Sequence, residues 1–514
     1  MARKMALSTG GGEKKMGQAR RHGLLQAVKT QSRQRTSGAG HLWSALNTDD
    51  NIISHAAYHV AAKELSQRLW DNRATVKGLV RHHLGLGDSD ASVFVAPPGQ
   101  WIRDSFNVCI PVAIRPGLMV RCAMAHKLAE ARYPGTIDEK LGCEVGTYAW
   151  MQAQCPEVRI PHLYGFGLSD HSHFTHQGRL PFYRRLCRAV RRRFGVFLGW
   201  PALSCYAPHP AAALCLPTAY MLLKHIGPET GCMLSNTWVM YRGEAARRRT
   251  LFRGMARIML SLARIPQPRM GSFRFCPDDG TMTLTNRPLP CALVILENDG
   301  APRTLPADRT YTCVEPFVAD MLALQDSSFL ANPNAIYDAS DCRALMAART
   351  VLRALLHRFT SPERRTGPFH LQLTDFHTSN IFVDDDWNVT CLLDLELVST
   401  LPAEMLAVPY WLTRRAINQL ADEHLAEFDK VRQEFMDVLE KEEATIGAIV
   451  TLVDGHVSPR YCRLSMTEEE VLSQSWCQGA KEVMTRKVAE HERYAADLGV
   501  LFGKISPVDG VEVS

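Results

Sequence analysis

The chain has 514 residues, 46% of them apolar and 22% charged, with a formal net charge of +6. That length suits two or three folded units and that apolar fraction a large core, which excludes a wholly disordered chain, while so small a net charge does not by itself argue for nucleic-acid binding. The fifteen cysteines include no Cys-x-x-Cys pair, which excludes the common zinc and redox patterns and makes reduced thiols in an intracellular protein the expectation.

Residues 1–45 are rich in Gly, Ser, Gln and base, with Arg3, Lys4, Lys14, Lys15, Arg20 and Arg21 against the single acid Glu13 in the first forty. They predict a disordered basic segment. An acid-poor start of this kind also fits a mitochondrial presequence, so the expected location is the cytoplasm, with the mitochondrion as the alternative. No secretory core is visible, and no run reaches the roughly 18 apolar residues that a membrane-spanning helix needs.

From about Asp50 to Leu84 the apolar residues Ile52, Ala56, Val60, Leu65 and Leu69 recur at helical spacing. The period then falls to two. Val108, Ile110, Val112 and Ile114 share one strand face, Arg115-Pro116-Gly117 makes a turn, and Leu118, Val120 and Cys122 share the next strand's face, with Arg121 opposite. Ile137–Gln154 reads as a helix with the stripe Leu141, Val145 and Tyr148. Glu144 sits at the margin of that stripe and needs a partner. Thr136 with Glu139 three residues on has the pattern of a capping box.

A strand is expected over Arg159–Gly165, and another over Tyr220–Leu223, ending at Lys224-His225-Ile226-Gly227, at the close of an apolar run Ala211–Leu223 that suits a buried strand better than a membrane span. Between them lies a basic insert at about 170–210, with seven arginines and no acid across residues 179–193, interleaved with Phe182, Tyr183, Leu186, Val190 and Phe194. Such a segment fits an anionic membrane surface, an acidic partner or RNA. A solvated helix packing its apolar side on the body is the base-rate expectation.

Ser235–Ile265 reads as one long helix, Gly271–Leu284 as a hairpin turned by Asp278-Asp279-Gly280, and Cys342–Phe359 as an amphipathic helix. Further helices are expected over about Pro409–Glu443 and Glu468–Leu498. A strand-rich front third followed by a helix-rich remainder predicts two lobes of different composition.

The stretch Leu371–Glu396 carries the chemistry. Asp375 and Asn380, five apart, precede a short strand Ile381–Val383, and a second strand, Val389–Leu393, runs directly into Asp394. A hairpin brings its two ends together. One carboxylate is then placed to accept a hydroxyl proton, while the Asn oxygen and the other carboxylate suit Mg²⁺, a division of labour that phosphoryl transfer needs.

Asp375-Phe-His377-x-x-Asn380-Ile-x-Val-Asp384 followed by Leu-Leu-Asp394-Leu-Glu396 resembles the catalytic core of the aminoglycoside phosphotransferase and choline kinase-like family, which has a protein kinase-like fold. Ile265-Pro-Gln-Pro-Arg269-Met-Gly271, Gly367-Pro-Phe-His370 and Pro409-Tyr-Trp-Leu412 are similar to its large fungal branch. The resemblance covers roughly residues 50–420. It implies an α+β bilobal fold, with a small antiparallel-sheet N-terminal lobe at 46–226 and a larger helical C-terminal lobe at 227–445 that holds the catalytic loop. Residues 446–514 would form a helical extension.

The resemblance further implies transfer of the γ-phosphate of ATP to a small-molecule hydroxyl or amine, with Mg²⁺. Asp375 would be the catalytic base, and Asn380 and Asp394 would hold the metal with Glu396 assisting. Arg121 would contact the nucleotide phosphates and pair with Glu144, Ser105 and Asn107 would donate to phosphate oxygens, and the backbone from Lys224 to Ile226 would read adenine. His377 would orient the loop. Neither the His-Arg-Asp loop nor the Ala-Pro-Glu segment of protein kinases is present, which favours a small-molecule acceptor over a protein, and no specific nucleic-acid binding is expected. Asp104 stands where the family often has Gly, Arg121 replaces the usual Lys, and Leu373 replaces a common His. These departures support the alternative, a catalytically impaired kinase-like binding or scaffold protein.

Overall fold

The computed structural model describes residues 45–46, 48, 51–87, 92–114, 117–199, 201–211, 213–358, 360–415, 422–446 and 466–502. The basic segment expected at 1–45 lies almost wholly outside these, as do Arg115 and Pro116 of the expected turn and residues 447–465 and 503–514 of the C-terminal region.

Two helices lead, α1 (Ile52–Asp71) and α2 (Arg73–Leu84). They are separate where one continuous pattern was expected. Asn72 lies between them, its side chain donating to the Arg68 carbonyl at 2.8 Å. An antiparallel sheet follows, built from β1 (Phe94–Val95), β2 (Ile102–Arg103), β3 (Asn107–Ala113), β4 (Leu118–Ala123), β5 (Leu163–Gly167), β6 (His173–His176), β8 (Tyr206–Pro208) and β9 (Tyr220–Lys224). A further short strand, β7 (Ala202–Leu203), precedes β8. The order across the sheet is β1-β3-β4-β9-β5-β6-β8, with β2 also paired to β3.

The period-two pattern explains how the sheet is buried. Val108, Ile110, Val112, Leu118, Val120 and Cys122 pack with Val76, Leu79 and Val80 of α2 on one face. Met221, Leu223 and Phe166 face the other way, against Leu141, Val145 and Tyr148 of α3 (Thr136–Gln154). Cys109 of β3 stands opposite Arg121 of β4, so Arg121 points to the α3 side.

Several expectations are corrected. Thr136 does not cap α3: its hydroxyl donates to the Tyr133 carbonyl, and the Glu130 carboxylate accepts from the N–H groups of Gly135 and Ile137, both at 2.7 Å. Glu139 is drawn away by Arg287, whose Nε donates to it at 2.8 Å. Of the apolar run Ala211–Leu223 only the end is strand, from Tyr220, where the strand was expected. Ser235–Ile265 is two helices, α5 (Leu234–Tyr241) and α6 (Ala245–Ala263), separated around Gly243. Inside the basic insert stands α4 (Phe182–Phe197), and its apolar side does not pack on the body: Phe182 is 75% exposed and Phe194 62%.

The remainder is mainly helical, with α7 (Cys291–Asn298), α8 (Val314–Ala331), α9 (Ala339–Ala354), α10 (Asp422–Ile446), α11 (Met466–Gln474) and α12 (Ala480–Leu501). Small sheets punctuate it. The hairpin β11 (Ser272–Cys276) and β12 (Thr281–Asn286) turns at Gly280, whose φ of +69° suits glycine. It packs on α3, and β12 also pairs with β7. The pair β13 (His370–Leu373) and β16 (Val398–Leu401) brackets in sequence the hairpin β14 (Ile381–Val383) and β15 (Val389–Leu392), and β10 (Cys232–Met233) pairs with β14 to complete a third sheet. Trp476, Ala480 and Met484 of the C-terminal region pack with Phe329, Leu345 and Met346 of α8 and α9. Tyr494 of α12 returns to the front of the chain, where its hydroxyl accepts from the Ile52 N–H at 2.8 Å.

Among the described residues, no helix is long and apolar enough to cross a membrane.

Candidate active site

The loop between β13 and β14 is closed by its own side chains. Asn380 Nδ2 donates to the Asp375 backbone carbonyl at 3.0 Å, and the Asn380 backbone carbonyl accepts from the Leu393 N–H at 2.8 Å. The second bond extends the β14–β15 pairing by one step and delivers the chain to Asp394. His377 Nδ1 shares a hydrogen bond with the Ser379 hydroxyl at 2.9 Å, so it braces the loop. Asp375 itself is exposed. Beside it lies a cavity of about 290 Å³, walled by Asp375, Phe376, His377, Tyr410 and Trp411. Trp411 Nε1 donates to the Phe376 carbonyl at 2.7 Å and fixes that wall.

Asp394 adopts φ of +58°, a left-handed conformation that Asp tolerates better than most residues. Its carboxylate meets Arg121, whose Nη2 donates to Asp394 Oδ1 at 2.7 Å, to Glu396 Oε2 at 2.8 Å and to Asp104 Oδ2 at 3.2 Å. Arg121 Nη1 donates to Glu144 Oε1 at 2.6 Å. Glu144 thus finds the partner that its place on α3 demanded.

A residue not singled out from the sequence completes the cluster. Lys140, one turn before Glu144, is buried and ion-paired with Glu396, and its Nζ stands 3.9 Å from Glu144 Oε2. The available signal was the i,i+4 spacing of Lys140 and Glu144 on one helix face. Asp104 likewise entered the sequence reading only as a departure from the family pattern, yet it is a member of the cluster.

Four carboxylates therefore face two cations, leaving two negative charges in excess when all are ionised. The consequences differ by position. Burial, joined by repulsion from Glu396, Glu144 and Asp104, pushes the Asp394 carboxyl up to about 7 despite Arg121. Burial likewise raises Glu144. Burial would also raise Glu396, but Lys140 and Arg121 outweigh it and hold that carboxyl below its ordinary value. For Arg121 burial alone would lower the pKa, and the surrounding carboxylates more than reverse that.

Other predicted residues are placed differently. Asn107 is buried and committed: its Nδ2 donates to Glu396 at 2.9 Å and to both oxygens of Asp104 at 3.1 Å, and its Oδ1 accepts from Lys140 at 3.3 Å. Ser105 is exposed in the turn that Asp104 organises by accepting from the Phe106 N–H at 2.8 Å. At the end of β9 the Lys224 and His225 N–H groups donate to the His162 and Gly117 carbonyls, at 2.8 and 2.9 Å. The N–H groups of Lys224 and His225 are therefore already engaged within the protein.

No protein-family model matches the chain, and no curated protein matches it.

The donor set has the chemistry of a hard divalent cation: oxygens only, with negative charge to spare. Among the described residues, no three His, Cys, Asp or Glu side chains converge on one point as metal ligands. The carboxylates surround the guanidinium instead. Mg²⁺ commonly takes only one or two protein carboxylates and completes its shell with substrate phosphates and water, and Asp394 and the Asn380 amide oxygen are ligands of the chemical kind it takes.

Proposed function

We propose that the chain is a small-molecule kinase with a two-lobed, protein kinase-like arrangement, transferring the γ-phosphate of ATP to a hydroxyl or amine. The observation that carries this reading is the meeting of Arg121, Glu144, Asp394 and Glu396, brought from β4, α3 and the end of the β14–β15 hairpin. A cation on a sheet strand, an acid on the packed helix and an acid just past a loop hairpin are the parts that hold phosphate and metal in such enzymes.

On this reading Arg121 exchanges some of its carboxylate contacts for phosphate oxygens. Glu144 keeps its side chain aimed, and Lys140 holds Glu396. Asn380 and Asp394 would hold Mg²⁺, which supplies charge neutralisation across the β- and γ-phosphates. Asp375 faces the cavity beside the loop and accepts the proton of an acceptor hydroxyl placed there. The acceptor oxygen bonds to the γ-phosphorus as the bond to the bridging oxygen breaks, and ADP leaves with that electron pair.

A second reading has an observation of its own. The commitment of Arg121 and Asn107 to carboxylates favours a kinase-like binding or scaffold protein that takes nucleotide poorly. Thermal-shift measurement with ATP, with and without Mg²⁺, separates the two. The enzyme reading expects a metal-dependent rise that Asp394→Ala removes, followed by ATP-dependent gain of one phosphate by a compound in a metabolite pool. No shift at millimolar ATP would favour the scaffold.

A further inference from the structure

Helix α4 stands on the body by its cations and turns its apolar stripe outward. Arg188 Nη2 donates to the Ser204 and Tyr206 carbonyls at 2.8 and 2.7 Å. One turn on, Arg192 Nη2 donates to the Ser204 carbonyl at 3.1 Å and to the Gln177 side chain at 3.3 Å. Gly195, on the same side, is buried. Half a turn around, Phe182, Leu186, Val190 and Phe194 step along one line with Tyr183 beside them, and their exposures run from 48% to 75%. Leu198 extends the stripe at 58% exposure.

The margins are basic. At helical spacing Arg191 borders the stripe on one side and Arg185 and Arg193 on the other, while Arg184 lies on the line of Arg188 and Arg192. All four are exposed. An apolar stripe of this length facing water marks a surface that is covered in use.

We propose that α4 is an interfacial anchor that lies in the surface of an anionic lipid bilayer, independently of the kinase reading. The aromatic and aliphatic side chains enter the headgroup boundary, and the bordering arginines extend to lipid phosphates and carboxylates. The charge pattern favours a bilayer over an acidic protein. The bonds of Arg188 and Arg192 keep one side of α4 on the body, and residues 179–193 carry seven arginines and no acid, an unbroken positive margin that suits a continuous anionic surface. Only one face is offered, and it matches a flat, negatively charged, apolar-cored surface.

The test is sedimentation of the full chain with phosphatidylcholine vesicles and with mixed phosphatidylcholine–phosphatidylserine vesicles at about 7:3. Binding to the mixed vesicles at least about tenfold stronger than to the neutral ones is expected, weakening as salt rises from about 0.1 to 0.5 M. The double variant Leu186→Glu, Phe194→Glu should lose roughly tenfold or more while keeping its melting temperature, because neither side chain packs in the core. Replacing Arg184, Arg185, Arg191 and Arg193 by Gln should remove the preference for the anionic vesicles. The proposal is overturned if the chain binds neither kind of vesicle, or if the Glu variant binds as the parent does. Binding to soluble polyaspartate as tight as to the vesicles would also overturn it in favour of an acidic partner. So would a dimer that the Glu variant dissolves while the parent ignores vesicles, since the stripe would then join two copies.

Discussion

Asp394 Oδ1 lies 2.7 Å from Arg121 Nη2, across 273 positions of sequence. The same nitrogen also reaches Glu396 and Asp104. A terminal guanidinium nitrogen has two N–H groups, so three carboxylates oversubscribe it. The cluster holds together through charge as much as through directed bonds, and it stays short of positive charge.

Arg121 should therefore be costly to remove. Arg121→Ala leaves Lys140 alone against four carboxylates, and a loss of about 3–5 kcal/mol is expected in urea unfolding, as for other broken buried pairs. Arg121→Lys restores the charge but cannot reach Glu144 and Asp394 with separate nitrogens, so it should recover only part of that. An Arg121→Ala protein as stable as the parent would mean that the cluster contributes nothing to the fold.

The raised Asp394 carboxyl gives a pH signature. Its folded value of about 7 lies above the ordinary 3.8, so the folded state holds a proton that the unfolded chain has released. The associated stability is complete below the ordinary value and is lost as pH rises toward and through 7. Glu396, held low, works in the opposite sense: its contribution is present above the ordinary carboxylate range and fades as pH falls. Comparison with Asp394→Asn isolates the first effect. The parent should lose stability between pH 4 and 7 relative to the variant.

The same proton competes with metal. On the proposed kinase reading Mg²⁺ binds with ATP at an ionised Asp394, so affinity should rise about tenfold from pH 6 to pH 8. Calorimetric titration at the two values checks this. A flat profile would separate Asp394 from the metal site.

Much of this site was legible because its elements are local. The alternation in Val108, Ile110, Val112 and in Leu118, Val120, Cys122 set both strands and the side of Arg121. The apolar runs at Ile381–Val383 and Val389–Leu392 set the loop hairpin. What escaped depends on partners far away in sequence. Lys140 is ordinary on a helix until the helix proves to be buried nearly all round, when its charge must be matched. Glu139 looked like a cap residue because its real partner, Arg287, lies 148 positions on. The outward turn of α4 escaped because periodicity finds an apolar stripe without saying which side the body takes. The break between α5 and α6 was missed because Gly243 interrupts an apolar pattern that continues on both sides.

On the proposed kinase reading, Asp375→Ala should abolish transfer and spare the nucleotide. Its carboxylate borders the cavity beside the loop. Loss of a positioned general base lowers turnover by at least about a hundredfold, while the dissociation constant for ATP should stay within about twofold of the parent's, since the base acts on the acceptor. Equal loss of both, measured by titration alongside turnover, would move Asp375 to a structural role.

Arg287 ties the start of α3 to the helical part of the chain. It is fully buried, with Nε 2.8 Å from Glu139 Oε1 and Nη1 2.5 Å from Glu297 Oε1. Arg303 adds a second cation, 2.9 Å from Glu297. Arg287→Leu strands Glu139 in the interior with Arg303 only at 3.9 Å, so a loss of about 3 kcal/mol or more is expected. Replacing Glu139, Arg287 and Glu297 together by apolar residues of similar volume removes the stranded carboxylate and should regain part of the loss, the remainder being the cost to Arg303 of losing Glu297. Urea unfolding of the two variants tests the argument, because a simple packing defect would predict the triple variant to be the weaker of the two. Glu144 rides on the same helix, so Arg287→Leu should also weaken nucleotide binding, and the triple variant should restore it.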